Sequence, residues 1–183
     1  MNKILKLAIV LFLVCAVAAG ALGFVNNLTA PIIEAQAQAK TAAAFATVMQ
    51  ADGYEEIEFD KEAFPTVDTI HHATNGAGHV VTSTFSGAQG NITLACGVDP
   101  DFKCTGISVI EHSETSGLGA NAASTAEVGV NFRAQFNGVD QNVQLKKAGG
   151  EIDALSGATI TSRSVTNAAS AAIQFVEALQ SAN

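Results

Sequence analysis

A short run of small and hydroxyl-bearing residues near the carboxyl end of the chain has the residue types of an acceptor site. Thr159 offers a hydroxyl directly behind Gly157 and Ala158, and Asp153 and Ser156 precede them. Glycine and alanine leave backbone amides uncovered, so that a bulky phosphate group can approach closely. We interpret this turn as an acceptor site for such a group. The alternative is an ordinary helix start that is rich in capping hydroxyls.

The residues after this turn predict the last helix of the chain. Apolar side chains recur there at helical spacing, at Val165, Ala168, Ala169, Ala172, Ile173, Val176 and Leu179. We predict that the helix begins near Thr161 or Ser162, because either is a good N-cap. A phosphodiester at Thr159 would then lie at the positive end of the helix and face free amides.

Two segments of the chain resemble one protein family. Asp153 and the Ser-Gly-Ala-Thr core at 156–159 resemble the site at which flavin transferases esterify FMN, through its phosphate, to a threonine hydroxyl. Residues 112–119, HSETSGLG, resemble the family's His-x-Glu-Thr-Pro-Gly-Leu-Gly segment, with Ser116 where proline is usual. The family comprises the FMN-binding subunits of Rnf-type complexes and of Na⁺-translocating NADH:quinone reductases. A single N-terminal span and a short chain favour the G-type subunit of the Rnf complex over the longer C-type subunit of the quinone reductase.

The resemblance implies a role for each matching residue. Thr159 would carry covalent FMN, Ser156, Gly157 and Ala158 would form the turn around it, and Asp153 would help the flavin transferase to recognise it. The upstream loop would lie beside the isoalloxazine ring, with cofactor-binding candidates His112, Glu114, Thr115, Gly117, Leu118 and Gly119. The two glycines permit a turn that packs flat against a planar ring. A plain surface turn is the alternative reading of this loop.

The implied function is electron transfer in a membrane-bound ferredoxin:NAD⁺ oxidoreductase that translocates Na⁺ or H⁺, with no complete catalytic site in this chain. Other subunits of the complex, a flavin transferase and membrane lipid would be its partners. Two other classes stay open. A membrane-anchored interaction protein could retain an unused scaffold. A serine hydrolase could use Ser156, Asp153 and His112, although no Gly-x-Ser-x-Gly motif surrounds the serine.

An apolar segment near the amino terminus predicts a membrane anchor. Leu7 to Val25 is a run of 19 residues without a charge. As a helix it spans about 28 Å, close to the roughly 30 Å hydrocarbon core of a bilayer. Lys3 and Lys6 precede it, which predicts a cytoplasmic amino terminus and an extracytoplasmic domain, and the family resemblance implies that the membrane is a bacterial cell (inner) membrane. A cleaved signal peptide is the alternative, but its apolar core is usually shorter, about 7–15 residues.

Charge and cysteine usage limit the function classes further. Of nine Lys and Arg, two precede the apolar run, whereas all seventeen Asp and Glu follow it. Such an acidic domain argues against nucleic acid as a partner. Cys96 and Cys104 flank a predicted turn, and both a cross-hairpin bridge and free thiols are compatible with their spacing. The remaining candidates for a metal site, His71, His72 and His79, lack ligand spacing, so we predict no metal site.

The sequence predicts an α+β protein with four parts. Residues 1–6 are cytoplasmic, 7–25 form the transmembrane helix, 26–50 form a membrane-proximal helix with Pro31 in its first turn, and 51–183 form the FMN-binding domain. Alternation indicates a strand around 54–59. Strand signals follow at 79–85, 91–96 and 105–111, the last two of which are predicted to form an antiparallel hairpin, and short strands are suggested at 143–145 and 152. We expect a twisted antiparallel sheet with flanking helices.

Overall fold

A computed structural model describes residues 3–181 of the chain. Its internal contacts divide it into two units, one that ends at Lys40 and one that begins at Thr41. Both predicted helices of the amino-terminal part belong to a single helix, α1, which covers Lys3–Val48. By length and composition α1 could cross a membrane, and no residue of its most apolar window is buried.

Pro31 lies inside α1 and does not begin a separate helix. Proline lacks an amide donor, so it removes one helical hydrogen bond without ending this helix. Next to it, the Thr29 hydroxyl donates to Val25 O at 3.0 Å, within the same helix. The prediction of two helices that meet near residue 26 was therefore wrong, because one helix continues through this position.

The second unit is built on a five-stranded antiparallel sheet. Its strands are β1 (Tyr54–Ile57), β2 (Val67–Ala73), β3 (His79–Ser86), β4 (Asn91–Val98) and β5 (Cys104–His112). They lie side by side in chain order, and every neighbouring pair is antiparallel. This meander, with helices packed on it, confirms the predicted α+β class.

β2 was not among the predicted strands, and its burial pattern explains why. Val67, Ile70 and Ala73 are buried at every third position and do not alternate. A register shift lies between Val67 and Thr69, so that Val67 and Ile70 pack in the same cluster, whereas Ala73 packs in the cluster on the other face of the sheet. Because a bulge adds an unpaired residue, it interrupts the period of two that identifies a strand in sequence.

Two helices follow the sheet, α2 (Glu127–Ala134) and α3 (Thr159–Ser181), with short 3₁₀ turns at Gly119–Ala123 and Lys146–Ala148. The predicted short strands near residues 145 and 152 reduce to one parallel bridge between Leu145 and Ile152. The sheet carries an apolar cluster on each face. On one face α3 packs through small and branched side chains, including Val165, Ala168, Ala169, Ala172, Ile173 and Val176. On the other lie Ala44, Phe45 and Val48 from the end of α1.

Candidate functional site

The turn before α3 is held by its own hydrogen bonds. The Ala158 amide donates to Leu155 O at 3.0 Å. The Ser162 hydroxyl donates to Ala158 O at 2.9 Å and accepts from the Leu155 amide at 2.9 Å. Gly157 has a φ of +72°, a conformation that costs glycine little but other residues more. The backbone of the turn is thus fixed before any ligand is considered.

Thr159 is the first residue of α3 and is half-buried. Before it, Ser156 and Gly157 are exposed, whereas Ala158 is buried. The amides in the first turn of a helix have no carbonyl partner within it, and the helix dipole makes that end positive. The Thr159 hydroxyl therefore lies where an attached anion would be stabilised.

The predicted start of α3 at Thr161 or Ser162 was wrong by two or three residues. Both side chains are fully buried inside the first turn of the helix. Ser162 bonds back to the turn at Ala158, and Thr161 donates its hydroxyl to the Glu114 carboxylate. Their hydroxyls therefore join α3 to its surroundings instead of capping its first amides.

Glu114 connects three separate segments of the chain. Its Oε1 accepts hydrogen bonds from the amides of Ala88 (2.8 Å) and Gln89 (3.0 Å), in the loop between β3 and β4. Its Oε2 accepts from the Thr161 hydroxyl. Glu114 is 9% exposed. Both carboxylate oxygens are therefore engaged by hydrogen bonds within the protein itself.

These hydrogen bonds decide the ionisation of Glu114. Burial opposes the charged form, but the Thr161 hydroxyl, the two backbone amides and the nearby His112 favour it more strongly, so the pKa of Glu114 lies below its usual value. His112 is half-buried, and its Nδ1 accepts from the Glu114 amide at 3.3 Å. Glu114 is thus a buried, charged group that supports the loop.

The two sequence segments that resemble the flavoprotein family meet in space. A Cβ built on Gly157 would lie 2.9 Å from Leu118 Cδ2. One built on Gly119 would lie 2.3 Å from Glu114 Oε2 and 2.6 Å from Thr161 Oγ1. The space at Gly119 thus admits no side chain without movement of buried groups, whereas Gly157 is constrained by its positive φ and lies against the movable end of Leu118.

The rest of the upstream loop is open to solvent. Thr115 and Gly117 are exposed, and Gly117 has a φ of +76°. The Thr115 carbonyl accepts from the Leu118 and Ala120 amides at 3.2 and 3.1 Å, which closes the turn. Leu118 remains 44% exposed, and Ile160 of α3 is 58% exposed. Two large apolar side chains are thus exposed to solvent, Leu118 next to Gly119 and Ile160 next to Thr159.

Two clefts adjoin Thr159. The larger, of about 510 Å³, lies between residues 141–148 and α3 and is lined by Arg163 as well as Thr159. The smaller, of about 300 Å³, is lined by residues 145–147 and 152–157. Lys147 and Thr159 line both clefts. Neither Lys147 nor Arg163 was among the predicted site residues. Arg163 could have been noticed because it lies one helical turn after Thr159, but no local pattern in the sequence indicates Lys147.

Asp153 lies at the surface beside the smaller cleft. Its carboxylate forms an ion pair with Lys146 Nζ at 2.5 Å, and both side chains are more than half exposed. The Gln135 side chain holds the Asp153 backbone, since Oε1 accepts from the amide at 2.7 Å and Nε2 donates to the carbonyl at 3.3 Å. The carboxylate is therefore presented outward on a fixed backbone.

The residues of the hydrolase alternative do not form a triad. Asp153 pairs with Lys146 and His112 accepts from the Glu114 amide. Within residues 3–181 no hydrogen bond links Ser156, Asp153 and His112, as a nucleophile and its base would require. This geometry gives no support to a serine hydrolase.

The histidines near the start of the domain lie at the hairpin between β2 and β3. His72 is paired with His79 across the strands, with ring centroids 5.1 Å apart. His71 is half-buried, and its ring lies 4.8 Å from that of Phe45. Burial lowers the pKa of both His71 and His79. In the described part of the chain no three His, Cys, Asp or Glu residues are grouped as metal ligands.

Comparison with known proteins adds two family matches. Residues 87–174 match the FMN-binding domain, and residues 1–48 match the RnfG N-terminal region. The first match includes both segments that meet at Thr159, and the second coincides with α1. The domain is therefore an FMN-binding domain, and it follows an amino-terminal region of a known type.

Full-length relatives give the same result. The G-type subunit of the ion-translocating oxidoreductase complex of Methanosarcina acetivorans is 36% identical, over 97% of this chain and 96% of the relative. Its counterpart in the Na⁺-translocating ferredoxin:NAD⁺ oxidoreductase complex of Acetobacterium woodii is 31% identical, over 96% and 93%. The counterpart in the proton-translocating complex of Clostridium ljungdahlii is 28% identical, over 96% and 92%. With its apolar α1 and its FMN-binding domain, this chain is a membrane protein that belongs to the RnfG family, the G-type subunits of ion-translocating oxidoreductase complexes.

Proposed function

We propose that this chain relays electrons within a membrane-bound ferredoxin:NAD⁺ oxidoreductase complex, through FMN attached by a phosphoester to Thr159. The observation that carries the proposal is the position of this hydroxyl. Thr159 is half-buried at the positive end of α3, behind an exposed Ser156-Gly157 turn and within the matched FMN-binding region. The complex as a whole would translocate Na⁺ or H⁺, and this chain would bind neither NAD nor the ion.

The residues around Thr159 fit a phosphorylated flavin. The turn leaves its amides uncovered at Gly157, and the first amides of α3 are available to phosphate oxygens. Leu118 and Ile160 supply exposed apolar surface for the flat ring. His112, Thr115, Gly117 and Gly119 would border the same space. Glu114, by contrast, would shape the loop through its bonds to Thr161 and the 88–89 amides.

FMN can accept and release electrons one at a time, and the protein supplies attachment, orientation and electrostatics. The ester would prevent the cofactor from diffusing away while leaving its ring unmodified. Ala158 and Thr161, both buried, form a fixed base under the attachment point. Rigid attachment matters because electron transfer between cofactors depends on a constant distance and orientation.

We also propose that α1 is a single membrane span with a cytoplasmic amino terminus. Lys3 and Lys6 lie before the apolar run, as the positive-inside rule requires. A cysteine introduced at the exposed Glu58, in a Cys15→Ser background, should react with a membrane-impermeant maleimide in intact spheroplasts. Labelling only after lysis would place the domain in the cytoplasm and contradict the proposed orientation.

The attachment is tested by coexpression with a flavin transferase. The denatured protein should fluoresce in a gel under ultraviolet light, and its mass should exceed that of the polypeptide by one FMN less water. Thr159→Ala should abolish both signals, whereas Thr159→Ser, which keeps a hydroxyl, should retain some labelling. Peptide mapping that finds Thr159 unmodified despite an active transferase would overturn the proposal.

A further inference from the structure

The few basic residues of the domain are unevenly distributed. Beyond the apolar run the chain has only seven Lys and Arg against seventeen Asp and Glu. Three of those seven, Lys146, Lys147 and Arg163, line the two clefts that adjoin Thr159. The surface around the two clefts is therefore locally positive, although the domain as a whole is acidic.

Two of these three cations are free to act on a ligand. Lys146 is neutralised by Asp153, which lies 2.5 Å away. Lys147 and Arg163 are exposed and form no ion pair within residues 3–181. Lys147 lines both clefts. Arg163 lies four residues after Thr159, on the same face of α3, and lines the larger cleft. Thr159 therefore shares the larger cleft with two positive charges that have no ion-pair partner among the described residues.

This arrangement matches the chemistry of a phosphodiester. Such a group keeps one negative charge at neutral pH and presents oxygens to several donors at once. Arginine binds phosphate through two parallel N–H groups, and lysine binds it as a point charge. The first amides of α3 add donors from below. Without nearby cations, an anion at Thr159 would be repelled by the sixteen carboxylates of the domain.

We propose that Lys147 and Arg163 form a phosphodiester subsite on the cleft side of Thr159. Their role is to position and neutralise a phosphate esterified to the Thr159 hydroxyl, so they are positioning residues and do not take part in electron transfer. This inference rests on the proposed attachment of FMN. Both residues lie outside the two family-like segments, residues 112–119 and 153–159. The phosphate would lie where the two clefts meet, at Lys147 and Thr159.

The direct test uses the full-length, flavin-loaded protein in detergent and observes the phosphorus atom. The ³¹P resonance of the phosphodiester should shift in Lys147→Gln, in Arg163→Gln and further in the double variant. Lys61→Gln removes one charge far along the chain, in the segment between β1 and β2, and is the matched control. Its resonance should coincide with that of the wild type. Identical resonances in all of these proteins would overturn the subsite.

A second measurement follows loading itself. With purified flavin transferase at low ionic strength, the initial rate of labelling should fall about threefold for each single variant and about tenfold for the double variant, since exposed charge pairs contribute modestly. The differences should shrink as salt is added. Lys147→Arg with Arg163→Lys should restore most of the rate. If this charge-conserving variant were labelled as slowly as the double glutamine variant, charge would not be the cause of the slower labelling, and the subsite would be contradicted.

The outcomes separate this inference from the function on which it depends. A wild-type protein that never acquires FMN at Thr159 defeats the proposed function. A wild-type protein that is loaded, with variants that match it in ³¹P shift and in loading rate, defeats only the subsite. Because both side chains are exposed, the variants should unfold at the wild-type temperature.

Discussion

The Thr161 hydroxyl donates a hydrogen bond to the Glu114 carboxylate, and this contact joins the loop after β5 to the first turn of α3, 47 residues later. The same carboxylate accepts the Ala88 and Gln89 amides. Three segments that are distant in sequence, two loops and the first turn of α3, are thereby fixed around one charged group.

Replacing Glu114 by alanine should destabilise the domain strongly. The change leaves the Thr161 hydroxyl and two backbone amides without their acceptor, and we expect a loss of about 2–4 kcal/mol in the free energy of unfolding. Chemical denaturation measures it. Glu114→Gln keeps one acceptor oxygen and should cost less. Equal stability of Glu114→Ala and the wild type would show that these hydrogen bonds are not formed.

The stability of the domain should depend on pH through the same residue. The pKa of Glu114 is lower in the folded protein than its ordinary value of about 4.3. Its stabilising contribution is therefore complete above that value, decreases as the pH falls below it, and is lost once the pH is below the folded-state pKa. Urea unfolding between pH 7 and pH 3 should show the difference between wild type and Glu114→Gln narrowing with acid. A constant difference would contradict the assignment.

Gly119 and Gly117 provide a matched pair of substitutions. Alanine at Gly119 would place its Cβ 2.3 Å from Glu114 Oε2, so the loop must move away from α3, and we expect a cost of about 2 kcal/mol or more. Alanine at Gly117 meets nothing within 4 Å and has only its positive φ to accommodate, at about 1 kcal/mol. Thermal unfolding should rank them in this order, and the reverse order would contradict the close approach.

Asp153→Ala should impair flavin loading more than it impairs stability. The carboxylate is exposed and its ion pair with Lys146 is a surface one, so the free energy of unfolding should change by less than about 0.5 kcal/mol. Loading by the transferase, followed by gel fluorescence, should fall clearly. Lys146→Gln removes the same ion pair and is the control. Normal loading of Asp153→Ala would remove this residue from the recognition segment.

The two domain cysteines should be unreactive in the native protein. Cys96 and Cys104 are buried, with their sulfur atoms 3.6 Å apart, and both are free thiols. Their mutual contact and burial raise the pKa of Cys96, which suppresses the reactive thiolate. A thiol reagent should label both in a Cys15→Ser variant only after denaturation. Rapid labelling of the folded domain would contradict this packing.

Much of the fold could be predicted because its patterns are local. The strands β3, β4 and β5 are runs rich in β-branched and apolar residues, and the buried stripe of α3 follows the helical period. β2 was missed because a bulge disturbs its alternation. The start of α3 was misplaced because Thr161 and Ser162, which have the composition of caps, make tertiary contacts instead.

Part of the candidate site could likewise be predicted from the sequence, and part could not. Residues 153–159 and 112–119 could be selected because both resemble segments of a known family, but the contact between them through Leu118 and Gly157 depends on the tertiary structure. The role of Glu114 as a buried support was not predictable, since its partners Ala88 and Gln89 act through backbone amides that any residue provides. Lys147 was missed for a similar reason, because an isolated surface cation has no sequence signature, whereas Arg163 could have been noticed from its position one helical turn after Thr159.

The self-contained bonding of the turn before α3 has a consequence for biogenesis. Among residues 3–181, the buried side-chain atoms that lack a hydrogen-bond partner belong to His71, His79 and Ser83, and none belongs to this turn. The framework beneath Thr159 is thus complete in an unloaded polypeptide. With the attachment proposed above, a newly made chain can fold first and receive the prosthetic group last. The amount of working protein would then be set after synthesis, by the supply of FMN donor and transferase.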